Sequence, residues 1–346
     1  MGCGGGGSLA AGLESVHQAL AAGVPRIVPL AALAEDAILV TLSAVGSAGK
    51  TSAAALEPGH FKRALRLFES LSRHTIGGYI ASEVGPRAVT YGLTESAHSG
   101  LPVVDAPANG RAHPLFVMGS LGLHAQPNRA TITAAVGGAP GAPDYVELAI
   151  RANVIKAARI VRDRAAQGGI ALAVARNPLP VSLIRDHAAV GGLAFAQRVG
   201  RVLLARSAGG SPGVLRALSR LMGGRVLAHG YVASVSLSER LGFTVGTLKL
   251  VCTNGSVVCI AVCNEFMAVL EAGTPVVTFP DLIVLIDRDT GLPLTSAEIK
   301  VNRSIAIFVV SRQRLPLGST MRDPLLLRPI EKLLGISLAR TPANLP

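Results

Sequence analysis

The sequence predicts an α/β layered domain with a largely parallel sheet, followed by an antiparallel β-barrel or sandwich. Two patterns predict this. Up to about residue 180, apolar runs of strand length alternate with amphipathic helical runs; from Gly224 onward, short apolar runs follow one another with turn signals between them. Length supports the division, because 346 residues at about 150 per domain suit two cores. The expected boundaries are 1–180 for the α/β domain, 181–222 for a helical connector, and 223–346 for the β domain with its tail.

Each element has a local reason. Leu9, Leu13, Val16 and Leu20 keep helical spacing after the run Gly2 to Ser8. Ile38 to Ser43 reads as a strand, Gly59 to Ser72 as a helix with Phe61, Leu65, Phe68 and Leu71 on one face, and Ile76 to Glu83 as a strand. A short helix over Thr90 to Ser99 precedes strands at Leu101 to Asp105 and Thr131 to Val136. A helix from about Tyr145 to Gln167 carries Arg151, Lys156, Arg159, Arg162 and Arg164 on its outer face, and Ile170 to Ala175 is one more strand. Helices over Ala188 to Ala205 and Pro212 to Met222 form the connector. Strands follow at Val226 to Leu237, Phe243 to Cys252, Ser256 to Cys263, Pro275 to Phe279, Leu282 to Asp287 and Ser304 to Ser311. Asn254-Gly255 predicts a type I′ hairpin turn, Asp289-Thr290-Gly291 a second turn, and Ile330 to Leu334 a short helix in the tail.

Composition excludes several classes. Hydrophobic residues make up 49% and charged residues 16%, with mean hydropathy +0.46, which is the wrong balance for a disordered chain. The most apolar run, Ala37 to Gly49, is 13 residues, and the 17 uncharged residues from Ala112 to Asn128 include His113, Pro114, His124, Gln126, Pro127 and Asn128, so neither reaches the roughly 20 apolar residues of a membrane span. Met1-Gly2-Cys3 resembles a lipidation start, but Gly6 stands where that pattern needs Ser or Thr, and no signal peptide follows, so a cytoplasmic protein is expected. Cysteines at 3, 252, 259 and 263 form no C-x-x-C pair; Cys259 and Cys263 are expected on one face of a strand as buried thiols. A net charge of +12 calls for an anionic partner, yet aromatics total 3% with no Trp, which argues against single-stranded nucleic acid.

Four segments carry candidate chemistry. Gly4, Gly5, Gly6 and Gly7 before Ser8 let a ligand approach the backbone and open a helix whose free N–H groups favour anions. Ala44 to Thr51 fits a relaxed phosphate-loop pattern after a strand, with Asp105 as the magnesium carboxylate, although Pro58-Gly59 leaves two helical turns at most. Asp105, Asn109, Arg111 and His113 share a loop beyond a strand end, where open α/β sheets bind ligands, and Glu83 ends a strand at the same edge. Asn264-Glu265 and Pro280-Asp281 end apolar strands of the second domain.

In their order along the chain, these residues resemble the S-methyl thiohydantoin desulfurase family. Carrying the likeness are Gly4 to Ser8, Glu83-Val84-Gly85, Gly100-Leu101-Pro102-Val103-Val104-Asp105, Gly110-Arg111-Ala112 with Pro114, Asn264-Glu265, Pro280-Asp281-Leu282-Ile283, Asp287, Thr290-Gly291 and Pro293. The chain departs from that pattern at Pro107, His113, Leu115, Pro86-Arg87-Ala88 and Cys3. The resemblance implies a three-layer α/β domain followed by a β-barrel domain, and hydrolytic release of a thiol from an S-methylated thiohydantoin ring. On this reading Glu83 or Asp105 is the base, and His113 protonates the leaving group. Arg111, Asn109, the glycine loop and Asn264-Glu265 hold an anionic small-molecule substrate. Glu83, Asp105 and His113 are also of the right type for a divalent metal, which the spacing does not demand. Cys3 is a second candidate nucleophile. The alternatives are an inactive small-anion binding protein on the same scaffold and a nucleotide-binding ATPase; both a monomer and a homo-oligomer remain open.

Overall fold

The computed structural model describes residues 1–46, 56–206 and 210–339. Residues 47–51, which hold the Gly-Lys-Thr part of the phosphate-loop pattern, lie outside them. The chain forms an α/β N-terminal part and a curled antiparallel sheet in its C-terminal part.

The first sheet has strands β1 (Ile27–Pro29), β2 (Ile38–Val45), β3 (Ile76–Ala81), β4 (Val103–Asp105), β5 (Thr131–Gly137), β6 (Val146–Ala152) and β7 (Leu172–Pro180), in the order β1-β4-β3-β2-β7-β5-β6. Only β1, β4, β3 and β2 run parallel; β7, β5 and β6 join antiparallel, so the expectation of a largely parallel sheet holds for half of it. The physical reason lies in the connections, since β5 returns as β6 through a short loop and needs no crossover helix. Helices α1 (Leu9–Ala22), α2 (Pro58–Leu71), α3 (Leu93–Ser99) and α4 (Val154–Gly168) belong to this part. Along β2, Leu39 and Val45 pack with Val161 and Ala165 of α4, whereas Val40 and Leu42 pack with Phe61, Leu65 and Phe68 of α2. Alternate residues of one strand thus bury against helices on opposite faces.

The basic helix is shorter than its sequence suggests. Val146, Leu148 and Ile150 alternate as strand β6, and Asn153 starts the helix by accepting the N–H of Lys156. Arg162 departs from the expected solvated face: it is half-buried and stacks over the Phe243 ring at 4.0 Å.

Helices α5 (Val181–His187), α6 (Gly192–Arg206) and α7 (Ser211–Met222) lead to the second sheet. Its strands are β8 (Arg225–Arg240), β9 (Phe243–Cys252), β10 (Val257–Cys263), β11 (Glu265–Glu271), β12 (Thr274–Thr278), β13 (Leu282–Asp287) and β14 (Ser304–Val310), ordered β12-β11-β10-β9-β8-β14-β13. Along β14, Ile305, Ile307 and Val309 face the interior with Leu248 and Leu250, while Ala306, Phe308 and Val310 pack on Val214 and Leu218 of α7. Helix α8 (Arg328–Leu334) covers the face carrying Phe243, Met267 and both Cys259 and Cys263, which share a side as expected. The turn after β9 differs from the expected type I′. Gly255 has positive φ but Asn254 does not, and Gly255 N–H bonds Cys252 O, so this is a three-residue loop with glycine in the left-handed position. Among the described residues no single helix is long and apolar enough to cross a membrane; the α5–α6 pair, bent by 51°, meets the test on length and composition alone.

Candidate functional site

The parallel strands β2 and β3 end where the N-terminal glycine loop meets the second sheet. The loop is pinned on both sides. Gly6 O accepts the N–H groups of Arg87 and Ala88; Gly4 O accepts the N–H and hydroxyl of Ser296, and Cys3 O accepts the N–H of Phe266. Close approach requires glycine at Gly6, where a Cβ would lie 2.6 Å from Gly85 Cα; a Cβ on Gly5 would instead meet a side chain, 2.0 Å from Glu265 Oε1. Ser8 then caps α1, accepting the N–H of Ala11 at 3.2 Å.

Under this loop lies a cavity of about 230 Å³. Among the described residues it is lined by Gly4 to Ser8, Glu83, His113, Asn264 and Glu265, together with Arg87, Arg162 and Arg176. The structure therefore brings together Glu83, His113, the four glycines, Asn264 and Glu265 from two separate sheets. It does not bring Asp105, Asn109 or Arg111 to the cavity wall.

Glu83 follows β3, and its Oε2 accepts the His113 N–H at 3.0 Å. Burial pushes its carboxyl up to about 7, against the opposing pull of the His113 amide, Arg176 and Arg111. Glu265 opens β11 directly after Asn264, whose left-handed backbone turns the chain sharply out of β10. Burial first, and then the charge of Glu83, raise Glu265 well above the ordinary carboxylate range. The charge of Glu83 thus disfavours a second charge on Glu265, and the two carboxyls titrate as an interacting pair. His113 sits with Nε2 at 3.6 Å from Glu83 Oε2. Burial and Arg176 drive its imidazole down to about 3, so at neutral pH it is uncharged and has no imidazolium proton to give a leaving group.

The cations were not legible as site residues. Arg176 interrupts the apolar strand β7, is fully buried, and donates to Phe116 O at 2.7 Å and Ser82 Oγ at 2.8 Å. Burial lowers it to about 9 while Glu83 supports its charge. Arg162 donates to Gly242 O and Pro114 O, bridging α4 to the β8–β9 hairpin. Several buried polar atoms around the cavity have no protein partner: Glu265 Oε2, Arg87 Nε, Arg176 Nε and Ser43 Oγ. Native structures seldom leave such groups unsatisfied, and their convergence marks a place for a polar ligand or water.

The remaining candidates have other work. Asp105 Oδ1 and Oδ2 accept the N–H groups of Leu193 and Ala194, capping α6. Asp105→Ala is expected to cost about 1 kcal/mol in urea unfolding, as lost helix caps do, without the loss of turnover that removing a general base would bring. With Asp105 so engaged, Glu83 and His113 lack the third ligand of the expected metal set, and no group of three His, Cys, Asp or Glu side chains among the described residues is arranged to hold a metal. Asn109 is fully buried and donates to Met118 O. Arg111 donates to Ala112 O, Pro280 O and Asp281 O and lies over the Phe279 ring, joining the two parts outside the cavity lining. Cys3 Sγ points to Met1 O and packs in the cluster of Val214, Leu215 and Ala306, away from the cavity lining.

An X-ray crystal structure of a protein from Chromobacterium violaceum has this fold, with a TM-score of 0.70 and 19% identity over 96% of this chain and 92% of that one. No functionally curated protein matches the chain. The profile described as S-Me-THD-like, N-terminal domain, matches residues 1–141, and the one described as S-Me-THD-like, C-terminal domain, matches residues 152–315. With both halves matched in order on either side of the cavity, the chain belongs to the S-methyl thiohydantoin desulfurase family.

Proposed function

We propose that the protein hydrolyses an S-methylated thiohydantoin, releasing methanethiol, in the cavity between its two parts. One observation carries this reading: two buried carboxyls, Glu83 and Glu265, line one small cavity, and each is shifted upward so that one ionises near neutrality while the other holds its proton. Such a pair supplies a base and an acid at the same pH.

Glu83, as the carboxylate, takes a proton from water as the water oxygen bonds the ring carbon between the two nitrogens and the π pair of its C=N bond moves onto the ring nitrogen. Glu265, as the acid, protonates the sulfur while the C–S bond breaks. Glu83 returns its proton to the ring nitrogen, and Glu265 regains one from the hydroxyl of the collapsing intermediate. The products are the ring carbonyl and methanethiol, with no oxidant or reductant needed. His113 positions Glu83 through its backbone N–H and stays neutral. Arg87, Arg162 and Arg176 give the cavity the positive field for an anionic substituent on the ring. A site between two structural units is a common arrangement. We also propose the cytoplasm as the place of work, which suits four free cysteines.

The test is methanethiol release from an S-methylated thiohydantoin bearing a carboxylate side chain. Wild-type release is expected, with a steep drop in Gly5→Ala, because the added methyl displaces the Glu265 carboxylate rather than backbone. Absence of release by folded wild-type protein would overturn the hydrolase reading and favour the anion-binding one.

A further inference from the structure

A second cavity, of about 560 Å³, opens at the opposite end of the first sheet. The register places it there. Ala171, at the start of β7, borders the catalytic cavity, whereas Pro178 and Leu179, at the other end of that strand, line this cleft. Antiparallel β5 contributes its first residues, Thr131 and Ile132, to the same cleft.

Its lining is cationic. Arg73 and His74 follow the end of α2, Arg129 precedes β5, and Arg151 ends β6; no carboxylate lines the cleft among the described residues. How these charges are held matters more than their number. Arg151 donates to Leu71 O at 2.8 Å and Arg129 to Gln126 Oε1 at 3.1 Å, both neutral acceptors. Neutral acceptors orient a guanidinium without cancelling its charge. Elsewhere on this chain, Arg63, Arg185, Arg303 and Arg312 are each paired with a carboxylate. Among the described residues no salt bridge neutralises the three arginines of the cleft.

The remaining lining is apolar or weakly polar. Leu123, Ile132 and Leu179 are buried core side chains that form its floor, Pro178 is half-buried, and the Thr131 hydroxyl donates to Asn177 Oδ1. Asn177, between the cleft residue Pro178 and the strand interior, is fully buried and leaves its Nδ2 without a protein partner.

We infer that this cleft binds a small anion that carries two or more phosphoryl groups. Guanidinium forks suit phosphate oxygens, and several converging on one cleft suit two or more phosphoryl groups. The inference does not depend on the chemistry of the catalytic cavity.

The test is calorimetry of the full chain in about 150 mM salt, which screens loose surface attraction, with inorganic tripolyphosphate and a nucleoside triphosphate as probes. Both are expected to bind at one site, and the double variant Arg73→Gln/Arg129→Gln is expected to weaken both at least tenfold. Methanethiol release without added phosphate should be unchanged in that variant. Binding that survives the double variant but is lost in Lys50→Ala would place the phosphates elsewhere and overturn the inference. Absence of saturable binding would do the same, as would preference for an oligonucleotide whose affinity rises with its length.

Discussion

Replacing Glu83 with Gln is expected to lower methanethiol release by at least about a hundredfold, the scale of losing a general base. The pH dependence makes the test specific. With the Glu83 carboxyl at about 7, wild-type kcat/KM should rise through neutrality as the base ionises, then fall at higher pH as Glu265 loses its proton. Glu83→Gln should remove the rising limb, and Glu265→Gln the falling one. A variant that lost activity but kept the wild-type pH profile would show that the residue acts only through structure.

The same shift predicts an opposite effect on stability. A carboxyl near 4.5 in the unfolded chain and about 7 in the fold binds its proton more tightly when folded. Its favourable contribution is complete below about pH 4.5 and is lost as pH rises through about 7. At pH 8 the wild type therefore carries the cost of a buried carboxylate, as much as about 3 kcal/mol. Glu83→Gln has no charge to bury and should be more stable than wild type at pH 8, with the difference vanishing near pH 4. Urea unfolding at the two pH values checks both the sign and the window.

Much of the fold could be read from periodicity, because burial alternates with the pattern that periodicity detects. Strands β9 and β13 match their expected bounds residue for residue. Strand β11 was missed because Asn264 and Glu265 look like a strand emerging into water. In fact Asn264 reverses the chain in a left-handed conformation and Phe266 to Leu270 run back fully buried, so the apolar run between Glu265 and Glu271 was the available signal.

The candidate site was legible where a motif fell at a strand end, as with Glu83, or where glycine was forced by contact with backbone, as with Gly6. It was not legible where a charge has a distant partner. Asp105 has the composition of a catalytic carboxylate, but it meets the first amides of α6, 88 residues on. Arg176 could have been noticed as a lone charge within the apolar strand Leu172 to Leu179. Nothing local distinguishes Arg162 from the solvated cations of α4, because its burial depends on Phe243 of the second sheet.

The resemblance had assigned Arg111 to the substrate, and its geometry leads to a different expectation. Arg111 is wholly buried, and Nη1 bonds both Pro280 O and Asp281 O, so one guanidinium holds the loop after β4 against the start of β13. The Asp281 carboxylate is already taken by Arg312, through Nε at 2.9 Å. Arg111 therefore binds the carbonyls of this turn while Arg312 binds its acid, so two cations fix the same turn. Arg111→Met keeps most of the side-chain volume against Phe279 but takes the guanidinium away from the carbonyls of Ala112, Pro280 and Asp281. A loss of about 3 kcal/mol in urea unfolding is expected, within the range for breaking buried charged networks. Because Arg111 also lowers the carboxyls of Glu83 and Glu265, both should titrate higher in the variant. The rising limb of its kcat/KM profile should then move to higher pH while the plateau rate changes less. A substrate-binding role would raise KM at every pH and leave unfolding nearly unaffected, so measuring stability, KM and the pH profile of this one variant separates the two assignments.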